Sequence, residues 1–157
     1  MGKKTEKNQK KSTKKPQWNK LFICGSDSIL NKEWIEGILQ SYSFKVLIVG
    51  IEASDFLIKQ SQKEIDMNYV DYIAFAYALE RQIPIISIIP EWKKATESNH
   101  VKTSNFKEIL RSTKDIGVVL WNGKSNTEWS MIQKLKKIKR LHKVHSYHVK
   151  SLLSYFT

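Results

Sequence analysis

From residue 20 onward, short continuous apolar runs closed by glycine, proline or a polar turn alternate with longer stretches whose apolar positions recur at helical spacing. Residues 20–25 (KLFICG) and 45–50 (KVLIVG) each read as a buried strand ended by glycine. Residues 83–90 (IPIISIIP) read as a third strand held between prolines, and 116–121 (IGVVLW) as a fourth. Asn31 is placed as the N-cap of a helix with Trp34, Ile35, Ile38 and Leu39 on one face. Residues 70–81 form a second helix through Ile73, Ala74, Tyr77 and Ala78. A loop over 93–104 leads to a short helix ending at Arg111. After a turn at 122–127, the last helix points Met131, Ile132, Leu135 and Ile138 inward and Lys134, Lys136, Lys137 and Arg140 outward. Residues 143–149 (KVHSYHV) read as a final edge strand.

Strands alternating with helices at this spacing predict an α/β fold. The expected form is Rossmann-like and doubly wound, a mostly parallel sheet in a three-layer α/β/α arrangement, preceded by a disordered basic N-terminal tail. The unbroken apolar strands fit a parallel sheet, whose strands are buried on both faces. The expected division is a tail over 1–17, a domain over 18–149 and an extension over 150–157. Ligands of such sheets bind beyond the carboxyl ends of the strands, near a topological switch point. Those ends are residues 25–27, 50–52, 90–92 and 121–127.

Charge changes the picture. The chain of 157 residues carries a net +12, with the cations concentrated at its ends. Residues 1–17 hold Lys3, Lys4, Lys7, Lys10, Lys11, Lys14 and Lys15 against Glu6, and residues 129–157 hold six lysines and Arg140 with no acid, around a near-neutral middle. Such segments attract polyanions, so RNA or DNA contact is expected through Lys3, Lys4, Lys10, Lys11, Lys14 and Lys15 and through Lys136, Lys137 and Arg140. The alternative is a solvated tail and a solvated helix face. No apolar run reaches the roughly 20 residues of a membrane span. The N-terminus shows neither an apolar segment after its positive charge nor the arginine of a transit peptide. The single cysteine, Cys24, excludes an internal disulfide and suits a reducing compartment, so a cytoplasmic protein is expected.

Individual residues offer chemistry with an ordinary alternative beside it. Glu52 and Asp55 could act as a carboxylate pair in N-glycosidic cleavage, or belong to a solvated insertion. Trp92 could stack on a base or cover the end of the sheet. His142, His145 and His148 recur every third residue, a spacing that neither helix nor strand brings together for a metal, so they read as surface histidines and no metal site is expected. Cys24 reads as a small buried hydrophobe rather than a nucleophile.

Residues 70–92 (VDYIAFAYALERQIPIISIIPEW) and 121–132 (WNGKSNTEWSMI) resemble the SLOG superfamily of nucleotide-binding domains. The resemblance spans about residues 20–149 and rests on the order of several short elements. Gly25 and Ser26 match the first loop and Asp71 the aspartate of a glycine-rich element. Pro90 and Trp92 match a P-A-x-W element, Asn105 an R-N element, and the stretch from Trp121 the last motif, W-D-G-K-S. The resemblance implies a nucleotide or nucleotide derivative bound by Gly25, Ser26, Gly50, Asp71, Trp92, Asn105, Gly123, Ser125 and Thr127. It implies no further cofactor. Relatives include phosphoribohydrolases, DNA-processing proteins and nucleotide sensors, and related domains often form homodimers.

The departures are specific. Asp27 stands where the family has arginine, Tyr69 and Val70 replace glycines before Asp71, Ser104 replaces an arginine, and Asn126 replaces a glycine. About fifteen residues, 51–65, are inserted after Gly50. Glycines let backbone amides close on a phosphate, and arginines pair with it. Their loss leads to the expectation of binding without efficient catalysis. Two functions stay open: a nucleotide-binding pocket, with N-glycosidic hydrolysis as its reaction if it has one, or a non-enzymatic RNA- or DNA-associated protein whose pocket serves only as scaffold.

Overall fold

The computed structural model describes residues 15–62, 67–89, 101–102 and 106–148. Among the described residues, six strands form one sheet: β1 (Gln17–Gly25), β2 (Ser43–Val49), β3 (Ile85–Ile89), the two-residue β4 (Val101–Lys102), β5 (Ile116–Trp121) and β6 (Leu141–Ser146). Their spatial order is β4-β3-β2-β1-β5-β6, and every neighbouring pair is parallel. Five helices connect them: α1 (Lys32–Gln40), α2 (Ala53–Gln62), α3 (Tyr69–Glu80), α4 (Phe106–Ile109) and α5 (Asn126–Lys137). The chain starts at the centre of the sheet, winds outward through β2, β3 and β4, then returns to the other side of β1 for β5 and β6. This is the Rossmann-like α/β arrangement expected from the sequence.

Alternation along the central strands sends residues to opposite faces, which makes two cores. Leu21, Ile23, Leu47, Val49, Val118 and Leu120 face α1 and α3, whose Ile35, Leu39, Val70, Ala74 and Ala78 are fully buried. Phe22, Ile48, Ile88 and Val119 face α4 and α5, meeting Phe106, Leu110, Met131, Ile132 and Leu135. At about 1.5–3 kcal/mol for each large apolar side chain removed from water, the two layers of burial are what hold the sheet between its helices.

The structure departs from the sequence reading in several places, each for a local reason. Strand β1 begins at Gln17, inside the segment expected to be tail, because Gln17 pairs with Ser43 at the start of β2. The stretch after Gly50, read as a solvated insertion, is largely exposed but helical. It forms α2, anchored by Phe56, which is fully buried and stacks on Phe75 of α3 at 4.4 Å between ring centres. The last strand starts at Leu141, not 143, and carries a bulge opposite Gly117 and Val118: Leu141 pairs with Gly117 and Lys143 with Val118, leaving His142 as the extra residue. The last helix starts at Asn126, with Ser125 as its N-cap, inside the stretch read as a turn. Residues 1–14 and 149–157 lie outside the described residues, with Lys3, Lys4, Lys10, Lys11 and Lys14 and the last residue of the expected final strand, as do Pro90, Trp92, the 93–100 stretch and Asn105. Among the described residues, no helix is long and apolar enough to cross a membrane.

Candidate functional site at the switch point

The winding direction reverses between β1 and β5, which lie side by side with Gly25 opposite Leu120. The loops leaving those two strands therefore diverge to opposite sides of the sheet, and the crevice between them is where an open α/β sheet binds ligands. Three sequence-predicted residues converge here: Ser26, Gly123 and Ser125. Gly25 and Asp71 border them, and Thr127 lies exposed in the first turn of α5. Gly50 ends β2 on the other side of β1, one strand away from the crevice.

Ser26 is completely buried although polar. Its amide donates to Leu120 O at 2.9 Å, tying the end of β1 to β5. Its hydroxyl accepts from Asn122 N at 3.1 Å and hydrogen-bonds the Glu128 carboxylate. Asn122 organises the turn that follows. Its Oδ1 accepts from Lys124 N at 2.8 Å and Ser125 N at 2.9 Å, and its Nδ2 donates to Ser28 Oγ at 2.8 Å, across the crevice. Gly123 adopts φ +83°, a left-handed conformation that favours glycine at that position of the turn. Ser125 then donates its hydroxyl to Glu128 Oε1 at 2.7 Å.

Glu128 is the least expected member. It sits in the first turn of α5 with only 6% of its surface exposed. Burial raises its carboxyl above the ordinary glutamate value, the Ser125 and Ser26 hydroxyls pull it down, and the negative charge of Asp27 raises it. The net direction is upward, so the carboxyl holds its proton to higher pH than an exposed glutamate. The same carboxylate, together with Asp71, acts on Cys24. Burial first, then the charges of Asp71 and Glu128, push that thiol well above its ordinary value. Cys24 is half-buried against the core on the α4 and α5 side, and its raised pKa disfavours the thiolate form.

The opposite wall is built by Asn68, the N-cap of α3. Its Oδ1 accepts from Asp71 N at 3.0 Å, while its Nδ2 donates both to Gly25 O and to Asp27 Oδ1, each at 2.7 Å. One amide side chain thus caps a helix and fixes the first loop. Gly25 also has a packing role that the sequence does not suggest. A Cβ there would lie 2.5 Å from Val70 Cγ2, so its small size serves the close approach of α3 to β1.

The crevice is acidic, with Asp27, Asp71 and Glu128 set against Lys124. Beside it Trp121 and Trp129 stack at 5.5 Å, and the Trp121 indole N–H donates to Ser125 O at 2.9 Å. Trp129 keeps 48% of its surface exposed, which leaves an aromatic face available to a ligand. Glu52 and Asp55 are placed elsewhere. They open α2, where the Glu52 carbonyl accepts from Phe56 N at 3.0 Å.

Three contributors escaped the sequence reading: Asn68, Asn122 and Glu128. A signal for the last existed, because Ser125-x-x-Glu128 is the pattern of a capping box. The side chains here bond to each other instead. Asn68-x-x-Asp71 similarly marks a helix start, but nothing in sequence reveals its second bond to Gly25. The histidines also sit differently than expected. The bulge at His142 turns it to the same side as His145, and both rings meet Tyr42 edge-on at 5.6 and 5.9 Å. Among the described residues no group of three or more His, Cys, Asp or Glu side chains is arranged to hold a metal ion. The basic residues are divided: Lys15 donates to Gln40 O, Lys136 is exposed on α5, and Lys137 and Arg140 lie at the end of the sheet opposite the crevice. Comparison with protein-family models, curated proteins and solved structures yields no match to this chain.

Proposed function

We propose that the protein binds a nucleoside or a nucleotide derivative of low charge in the crevice between β1 and β5, without efficient turnover. The observation that supports this most directly is the chain of hydrogen bonds from Asn122 through Ser26 to Glu128 and Ser125, at the one position where the winding of the sheet reverses. Buried hydroxyls around a carboxylate suit the hydroxyl groups of a ribose, which both donate and accept. The exposed face of Trp129 suits a base. Excess acid at the crevice disfavours a di- or triphosphate by like-charge repulsion, whereas a neutral nucleoside meets none. A SLOG-like ancestry accords with this location, and the absence of the family's glycines accords with the loss of a polyphosphate grip.

Thermal denaturation of the full chain with adenosine, guanosine, cytidine and uridine, and with their mono- and triphosphates, tests the reading. A ligand held by the native state raises Tm by mass action. At least one nucleoside or monophosphate is expected to raise Tm, the corresponding triphosphate much less, and Ser26→Ala is expected to abolish the rise. No shift with any nucleoside, or a shift indifferent to Ser26→Ala, overturns it.

A further inference from the structure

At the other end of the sheet, the turn after α4 and the turn between α5 and β6 enclose a cleft of about 470 Å³. Its floor is apolar, from Leu110 and Ile138, and the rest of its lining is Lys107, Arg111, Lys137, Lys139 and Arg140. Among the described residues no carboxylate lines it. Among the described residues none of these five cations takes part in an ion pair. The nearest acids in sequence are otherwise placed: Glu108 is exposed on α4, and Asp115 is buried, accepting from the amides of Lys20 at 3.2 Å and Ser112 at 2.9 Å.

The cleft is rigidly built at its base. Arg140 donates from Nε to Leu110 O at 2.8 Å, from Nη2 to Arg111 O at 3.0 Å and from Nη1 to Lys139 O at 3.2 Å. Lys20 Nζ donates to Ile109 O at 2.9 Å. Two cations thus hold three consecutive carbonyls that end α4, and the guanidinium cannot swing away. Lys139 occupies the left-handed backbone region at φ +61°, uncommon for a residue with a Cβ, and its side chain lines the cleft. Lys107, Arg111, Lys137 and Lys139 remain exposed.

We infer that this cleft binds the phosphodiester backbone of a single-stranded nucleic acid. Five cations in one concavity supply the repeated charge that a chain of phosphates requires, and the half-buried Ile138 offers apolar surface to a sugar or base between them. A membrane surface fits less well. Its partner would be cations flanked by exposed large apolar side chains, but Leu57 and Ile58 lie on α2, Leu30 and Trp129 at the crevice end, and Leu79 on α3, the helix packed on the opposite face of the sheet from α4 and α5. The lysine-rich residues 1–14 join the chain at Lys15, just before β1, whose amino end is at the same end of the sheet: Asn19 N donates to Lys114 O at 2.7 Å. This site is independent of the nucleoside crevice.

The test is fluorescence-anisotropy binding of labelled oligouridylate to the full chain over a series of salt concentrations, comparing the wild type with Lys107→Gln/Arg111→Gln/Lys137→Gln. All three residues are exposed, so the fold is expected to survive, and an unchanged Tm checks this. Each phosphate contact removed lowers the slope of log K against log salt by about 0.7 for single strands, so the triple variant should lose about 2 from the slope. A variant with Lys3, Lys4, Lys7, Lys10 and Lys11 replaced by Gln should retain the cleft-dependent part, and Ser26→Ala should leave it intact. A triple variant that binds with the wild-type slope overturns the inference. So does stronger binding of phosphatidylserine vesicles or of inorganic triphosphate than of oligouridylate.

Discussion

The hydroxyl of Ser125 donates to the carboxylate of Glu128 at 2.7 Å, so a pair spaced like a capping box is used to hold a buried acid at the mouth of the crevice. In a capping box the serine would serve an amide and the glutamate would reach back to the cap. Here the two side chains satisfy one another, and the Ser26 hydroxyl supplies a second bond to the acid. An acid kept from water in this way is expected to weaken the fold at neutral pH while serving the ligand.

That expectation can be measured through pH. The carboxyl of Glu128 is raised in the folded state, so between the ordinary glutamate value and its folded value the native protein keeps a proton that the unfolded chain has released. Its stabilising contribution is therefore present at low pH and lost as pH rises through the folded value. Glu128→Gln should remove this loss, giving a variant more stable than the wild type at pH 7, by about 1 kcal/mol in urea unfolding, with nucleoside binding weakened. A variant less stable than the wild type at pH 7 would show that the charged form is favoured by the fold.

Gly25 and Val70 should be coupled. The Val70 side chain is β-branched and stiff, and it fills the space a Cβ at Gly25 would take. Gly25→Ala should cost about 1–3 kcal/mol through overpacking. Adding Val70→Ala should cost less than the sum of the two single changes, with a coupling of about 0.5–3 kcal/mol in denaturant unfolding. Additive costs would mean that the close approach does not constrain residue 25.

Arg140 is a helix-end fastener as well as a charge in the cleft. Arg140→Lys keeps the charge but cannot reproduce three bonds from one planar fork. It should lower stability by about 1–3 kcal/mol while leaving most of the salt dependence of oligouridylate binding unchanged. Equal stability of Arg140→Lys and the wild type would remove the structural role.

His145 should make the edge strand β6 sensitive to acid. Its Nε2 lies 2.7 Å from the Tyr42 hydroxyl, and burial, then Lys143 and His142, lower its pKa below the ordinary histidine value. As pH falls from about 6.5 toward the folded value, the unfolded chain takes up a proton that the folded one does not, so stability declines through that window. The wild type should lose stability there relative to His145→Phe, as followed by chemical denaturation at several pH values. Parallel pH profiles for the two proteins would contradict this.

Local pattern carried the architecture. Continuous apolar runs such as residues 116–121 report a strand buried on both faces whatever its neighbours are, and the β5 boundaries are those read from the sequence. Apolar spacing in the last helix likewise located Met131, Ile132 and Leu135 in the core. From these signals the α/β class, the alternation of elements and the strand ends expected to form a site follow without tertiary information, because each depends on burial over a few adjacent residues. What the tertiary structure decided is which ends meet. Ser26 and Asn122 are 96 residues apart and touch only because β1 and β5 are neighbours in the sheet. The inward turn of Glu128, the double duty of Asn68, the displacement of His142 by one extra residue in β6, and the gathering of Lys107 and Arg111 with Lys137, Lys139 and Arg140 are all consequences of strand order and register. Those are settled by the packing of the whole sheet between its two helical layers, which no short stretch of the chain encodes alone.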